Sequence, residues 1–241
     1  MTRRRWIADQ VTGNRAILTG EHADHLVRVL RARIGQEFDV ASGGVVRRGR
    51  VVSVDAARVE FELGDEVSLT TAPNLTLLLS IFKFDRMEWA IEKCTELGVA
   101  RIVPVIARRT DAHLASNSAK RTERWRRITL QAAEQSRRTT PPEIADPMKF
   151  ADAVHLTAGL RIVLSESEQK TQLRDAAESE SADEKIILAV GPEGGWAAEE
   201  LQQFQQAGWI SASLGATILR AETAAIAATA IIISGLLRPA S

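Results

Sequence analysis

The pattern of apolar and polar positions changes character near residue 70. Before it, apolar runs are short and are interrupted by Gly13, Gly20, Gly35, Gly43, Gly44, Gly49 and Gly64, seven of the 15 glycines. Strict alternation shows in Glu37-Phe38-Asp39-Val40 and in Arg58-Val59-Glu60-Phe61-Glu62-Leu63. A period of two puts every other side chain on one face, which predicts strands with one buried side. Short strands at close spacing predict a small β-barrel or β-sandwich. One short helix is predicted within it, near residues 22–31. None of the seven prolines precedes Pro73, so Thr70-Thr71-Ala72-Pro73-Asn74 marks a boundary. The predicted domains are residues 1–71 and 73–241.

Beyond the boundary, residues 75–82 form a predominantly apolar run with only Thr76 and Ser80 polar, as expected for a strand buried on both faces. Asp85 with Glu88 three residues on has the form of a capping box. Met87, Ile91, Cys94 and Leu97 then fall on one helical stripe, and Gly98 is suited to stop it. Residues 102–106 predict a strand. Residues 120–136 predict a helix with Trp125, Ile128 and Ala132 on one face. Further strands are predicted at 161–164, 185–190 and 210–214, and further helices at 169–177, 197–207 and 222–237. Alternating strand and helix predicts an α/β domain, a parallel sheet with helices on both faces. Residues 179–185 read as an acidic surface loop.

Composition narrows the function classes. The chain has 241 residues, 45% of them apolar and 26% charged, which supports one large or two small folded domains and excludes wholesale disorder. Cys94 is the only cysteine, so a disulfide scaffold is excluded and a reducing, cytoplasmic setting is expected. Its place on the helical stripe makes it a core residue. The uncharged stretch 223–237 is 15 residues, short of the roughly 20 a membrane span needs. The basic start is followed by Asp9 rather than an apolar stretch, so no export is expected. The four histidines are scattered and no ligand spacing for a metal appears.

A net charge of zero hides a segregation. Residues 1–50 hold ten arginines against five acids, a balance of +5. Residues 51–79 hold one base and five acids, −4; residues 80–140 hold 13 bases and seven acids, +6. Residues 141–241 hold seven bases and 14 acids, −7. Two basic segments beside acidic ones suggest a polyanion-binding face.

Three segments carry candidate chemistry. Gly191-Pro192-Glu193-Gly194-Gly195 lies between a predicted strand and a helix, where open α/β sheets bind ligands. Glu193 would repel phosphate and no Gly-Lys-Ser/Thr follows, so the loop suits an uncharged or cationic ligand read by backbone groups. Leu214-Gly215-Ala216-Thr217-Ile218-Leu219-Arg220-Ala221-Glu222-Thr223-Ala224 also joins strand to helix. Glu222 suits a helix N-terminus, whereas Arg220 is a cation at the unfavourable end. Its presence there suggests an anionic group or a charged transition state. Residues 120–138 carry seven bases and two acids, consistent with phosphate contact or with a solvated helix face.

Together these segments resemble the SPOUT-class methyltransferases, most closely the family that methylates N3 of a uracil in 16S ribosomal RNA. The resemblance covers His25-Leu26-Val27-Arg28-Val29-Leu30-Arg31 with Gly35, then Lys83, Met87-Glu88-Trp89, Lys93, Glu96-Leu97-Gly98-Val99 and Pro104. It continues through Ala132-Ala133-Glu134-Gln135-Ser136, Arg138 and Pro142 to the two loops above. It implies a PUA-like β-barrel followed by a SPOUT α/β domain threaded into a trefoil knot, a homodimer, and S-adenosylmethionine as methyl donor. The cofactor loops would comprise Leu164 and the loop after it; Val190, Gly191, Pro192, Glu193, Gly194 and Gly195; and Leu214, Gly215, Ile218, Leu219, Glu222, Thr223 and Ala224. Arg220 would be catalytic, with Glu193 or Glu222 as proton acceptor. Arg3, Arg4, Arg5, Arg28, Arg31, Lys83, Arg86 and Arg138 would grip the rRNA, within the small ribosomal subunit. The sequence departs from the family pattern at Thr217, where Arg is common, and at Phe84 and Asp85, where a Gly is common. Ribose 2′-O-methyltransferases of the same class end in a Ser-Leu-Asn motif; Leu219-Arg220-Ala221-Glu222-Thr223 stands in that place here.

Overall fold

The computed structural model describes residues 5–43, 45–55, 57–67, 74–136, 138–178 and 185–236. Arg3, Arg4, the expected boundary at 71–73 and most of the acidic 179–185 loop lie outside them. The chain divides into two compact units, one of residues up to 70 with Glu134–Thr140, the other of 71–133 with residues from 141 on.

The first unit contains β1 (Arg5–Ile7), β2 (Gln10–Thr12), β3 (Arg15–Thr19), α1 (Gly20–Asp24) running into a π-helical turn (His25–Val29), β4 (Glu37–Ser42), β5 (Val45–Asp55) and β6 (Arg58–Glu66). These strands form one curled mixed sheet in the order β1-β4-β5-β6-β3-β2, with only β1 and β4 parallel. The two ends of that order are consecutive in the chain. Ala8 N–H donates to Ala41 O and Asp9 N–H to Ile17 O, so one bent segment serves both edges. The alternation in β6 is realised: Val59, Phe61 and Leu63 are buried, with Phe61 set edge-on to Phe38 at 6.1 Å. Arg31, just beyond the π-helical turn, has φ 50°, the one positive value among the described non-glycine residues.

The second unit contains β7 (Leu75–Ser80), α2 (Phe84–Leu97), β8 (Arg101–Ile106), α3 (Ala112–Asn117), a 3-10 turn (Ala119–Arg121), α4 (Thr122–Gln135), β9 (Glu143–Ile144), β10 (Met148–Lys149) and α5 (Phe150–Ala153). Then follow β11 (Leu160–Leu164), α6 (Leu173–Ala176), β12 (Ile186–Val190), α7 (Ala198–Gln206), β13 (Ile210–Ala212) and α8 (Ala221–Leu236). The strands form one parallel sheet, β10-β8-β7-β12-β11-β13, with β9 also on β8. All five residues of β12 are buried, as a central strand covered on both faces requires.

Several local expectations are corrected. Asp85 is not the N-cap of α2: the helix starts at Phe84 with Lys83 in the cap position and no side-chain cap bond. Asp85 sits in the first turn, and Glu88 instead accepts from Arg124 Nε at 2.7 Å. Gly98 does end α2, at φ 112°, a conformation open to glycine. The predicted 169–177 helix shrinks to α6, because Glu168 takes the Lys170 and Thr171 N–H groups into a turn. The strand predicted to 82 ends at Ser80. α3, α5, β9 and β10 carry too few residues to show a period. Cys94 is buried, and burial pushes its thiol pKa up to about 12.

Candidate active site

Three loops leave the carboxyl ends of three neighbouring strands, β12, β11 and β13. They enclose a cavity of about 260 Å³. Residues 165–167 after β11 form one wall, 191–196 after β12 a second, and 213–219 after β13 a third, with Leu164, Val190 and Ala212 at the floor. Ligands in open α/β sheets bind at this end of the strands. Two of the loops are joined by backbone pairing: Ser213 N–H donates to Thr171 O and Leu173 N–H to Ser213 O. Ser165 N–H also donates to Ala212 O.

The 191–196 loop is tied elsewhere. Arg109 Nη1 donates to Gly194 O at 2.6 Å. Beyond the loop, the buried carboxylate of Glu200 accepts from Arg108 N–H at 2.8 Å and from Ala197 N–H at 2.9 Å. Trp196 is buried beneath the loop, and a Cβ on Gly191 would meet its Nε1 at 3.2 Å. That close approach accounts for the glycine. The ionisable residues on the cavity wall are Arg109, Glu166 and Glu193. With Arg109 turned to a carbonyl, the lining favours a cation or neutral group over phosphate.

Most of the predicted cofactor residues come together. Leu164, Val190, Gly191, Pro192, Glu193, Gly194, Gly195, Leu214, Gly215, Ile218, Leu219 and Ala224 all line the cavity. Arg220, Glu222 and Thr223 do not. Arg220 is exposed, between the lining residues Leu219 and Ala221. Glu222 is 4% exposed in the first turn of α8, and its Oε2 has no hydrogen-bond partner among the described residues.

This chain matches the RNA methyltransferase domain family over residues 70–233. A ribosomal RNA small subunit methyltransferase E from Synechocystis is 34% identical, spanning 92% of this chain and 74% of the relative. The chain belongs to this family of RNA methyltransferases. The same-named protein of Aquifex aeolicus is 29% identical over 94% of this chain and 97% of its own. In structure, the methyltransferase E of Neisseria gonorrhoeae, solved bound to S-adenosyl methionine, superposes with a TM-score of 0.72 at 31% identity, covering 95% of each chain. A putative methyltransferase from Legionella pneumophila, in complex with the same cofactor, superposes at 0.70 with 27% identity over 97% of each chain.

The methyltransferase's predicted RNA-gripping residues are diverse in environment. In the first unit Arg5 is half-buried in β1, Arg28 pairs with Asp24 at 3.4 Å, and Arg31 is exposed. Arg138 is half-buried, and desolvation lowers its pKa. In the second unit Lys83 is exposed, whereas Arg86 faces acids: its Nη1 lies 3.2 Å from Glu193 Oε1 and 3.8 Å from Glu222 Oε1. Much of the basic 120–138 segment is also paired internally, Arg121 and Arg124 with Glu88, Arg126 with Glu123 and Asp146. Ser165, Glu166 and Ser167 line the cavity from the expected loop after Leu164, whereas Arg109 and Trp196 are lining residues that the sequence did not single out. Only Trp196, next to the glycine loop, carried a local signal.

Proposed function

We propose that this methyltransferase transfers the methyl group of S-adenosylmethionine to N3 of a uracil in 16S ribosomal RNA, within the small ribosomal subunit. The observation that carries the reading is the three-loop cavity at the carboxyl ends of β11, β12 and β13. Its glycine backbone and mildly acidic wall suit a sulfonium cation with a neutral adenine.

S-adenosylmethionine, when bound, supplies an electrophilic methyl carbon. Residues 191–195, Leu214, Gly215, Ile218 and Leu219 hold it by backbone and apolar contact, with Thr223 and Ala224 flanking from α8. Uracil N3 must lose its proton before it can attack, and a paired N3 is blocked, so the target base is unpaired or flipped. Holding N3 against the methyl carbon lowers much of the barrier. Arg220, at the lip of the cavity, stabilises charge developing on a uracil oxygen. Of the two candidate proton acceptors, Glu193 is on the cavity wall and Glu222 is buried behind it.

The first domain, residues 1–71, is on this reading a PUA-like RNA-binding β-barrel, and residues 73–241 a SPOUT domain with a trefoil knot. On this reading the return path of the chain belongs to the knot: α8 follows the edge strand β13 and passes back across β11 and β12 to reach α2. α8 meets α2 where Thr229 Oγ1 donates to Cys94 Sγ. A homodimer is supported by α8, which is apolar all round with Ile226, Ala227, Ala230 and Ile231 only half-buried. Such helices are normally covered. Arg3, Arg4, Arg5, Arg28, Arg31, Lys83 and Arg138 would hold rRNA phosphates, in the cytoplasm.

The test is methyl transfer from labelled S-adenosylmethionine to small subunits lacking the modification, followed by digestion to nucleosides and mass spectrometry. Label in 3-methyluridine is expected. Label on ribose or on another base rejects the specificity. An Arg220→Ala enzyme that binds cofactor normally and still methylates at full rate removes the catalytic role of Arg220.

A further inference from the structure

We infer that Arg86 is a positioning residue of the cofactor cavity, a clamp that ties the 191–196 loop to the start of α8. The inference rests on the cofactor reading above. It starts from how the three walls are held. The walls after β11 and β13 are joined by backbone hydrogen bonds through Ser213, Thr171 and Leu173. The 191–196 wall is held to the loop after β8, by Arg109 on Gly194 and by Glu200 on Arg108. Among the described residues, no hydrogen bond joins the 191–196 wall to residues 213–222 directly. β11 stands between the two parent strands, so they are not paired with each other directly.

Arg86 links the two sides. It stands in the first turn of α2, after β7, and reaches Glu193 on one wall and Glu222 at the start of α8 with one nitrogen. Nη1 donates to Glu193 Oε1 at 3.2 Å and lies 3.8 Å from Glu222 Oε1. Glu193 is on the cavity wall; the Glu222 side chain is 6% exposed, and its Oε2 has no hydrogen-bond partner among the described residues. A buried carboxylate in that condition depends on Arg86, the one cation paired with it among the described residues, because removing one partner of a buried pair costs more than the pair contributes. Both acids stand beside the cavity, so loss of Arg86 leaves two like charges there with nothing between them. Arg86 therefore acts through these carboxylates on the width of the cavity mouth, its guanidinium engaged with acids.

The experiment measures S-adenosylmethionine binding by calorimetry, and binding of a 16S rRNA fragment across a salt series. The proteins are the full-length wild type, Arg86→Gln, Glu222→Gln and the double variant. The expected result is about a tenfold weaker cofactor Kd for Arg86→Gln, with RNA affinity and its salt slope unchanged. In the double variant that loss should shrink to threefold or less, because the buried charge that Arg86 compensates is gone. Arg86→Lys keeps the charge but not the planar fork, and is expected to restore part of the cofactor affinity. It also keeps the test open should the glutamine variant fold poorly. Unchanged cofactor binding in Arg86→Gln overturns the clamp, as does additivity in the double variant. Weaker RNA binding with a reduced salt slope and normal cofactor Kd returns Arg86 to the phosphate-gripping set. A wild type that does not bind S-adenosylmethionine removes the cofactor reading and the clamp with it.

Discussion

One face of the parallel sheet is filled mainly by aliphatic and small side chains, and the other by rings. On the first, Leu75, Leu77, Leu79, Ile162, Ile186 and Leu188 meet Met87 and Ile91 of α2 and Ala225, Ala228 and Ile232 of α8. On the second, Leu78, Val103, Val105 and Ala189 meet Phe150, Trp196, Phe204 and Trp209. Phe204 is the hub of these rings, with centroids 4.9 Å from Trp196, 5.1 Å from Phe150 and 4.8 Å from Trp209. The difference has a functional sense. Alanines let α8 lie close to the sheet and to α2, where its first turn meets the cavity. The ring cluster is closely packed, and Trp196 carries the glycine loop on it. One face is built for close approach, the other for support.

The largest effect should come from the supporting face. Phe204→Ala removes the hub ring and is expected to cost about 3–5 kcal/mol, read by urea unfolding. A loss under about 1 kcal/mol would mean that the rings do not act as a unit. On the opposite face, Ala225→Leu overfills a fully buried position in α8 and is expected to cost about 1–3 kcal/mol. If it is tolerated without loss, close helix approach is not what the alanines provide. Gly191→Ala probes the junction of loop and ring: its methyl would press on Trp196. The expected outcome is about a tenfold weaker cofactor Kd, or roughly 1.4 kcal/mol, with little change in unfolding midpoint. An unaltered Kd by calorimetry would disconnect Trp196 from the loop above it.

The smallest effect belongs to neither face. Backbone N–H groups of Lys170 and Thr171 hold the Glu168 carboxyl below the usual carboxylate range. A depressed folded pKa binds fewer protons than the unfolded chain, so its contribution is present above the ordinary value near 4.3 and is lost as pH falls through the folded pKa. Wild type and Glu168→Gln should therefore differ slightly at pH 7 and converge in acid. A gap that widens on acidification would contradict the assigned direction.

How much was legible follows the range of the interaction. Alternation over 37–40 and 58–63, the runs in β7 and β12 and the stripe in α2 are local periodicities, so strand and helix types could be read from the chain. The glycine loop and its neighbours were legible for the same reason: short glycine-rich turns between apolar strands have few other places to go. Helix starts were not, as Asp85 and the shortened α6 demonstrate, because competing turns decide them by one or two hydrogen bonds. The sequence alone determined that two differently patterned units exist, that the second is α/β, and which glycine loops follow its strands. Tertiary structure decided what pairs with what. Arg86 read as one more phosphate-gripping cation until folding set it against Glu193, 107 positions away, and Glu222, and Arg109 became part of the cavity only through the loop after β8. Long-range pairing of charges leaves no period in the chain, so only the folded arrangement could assign it.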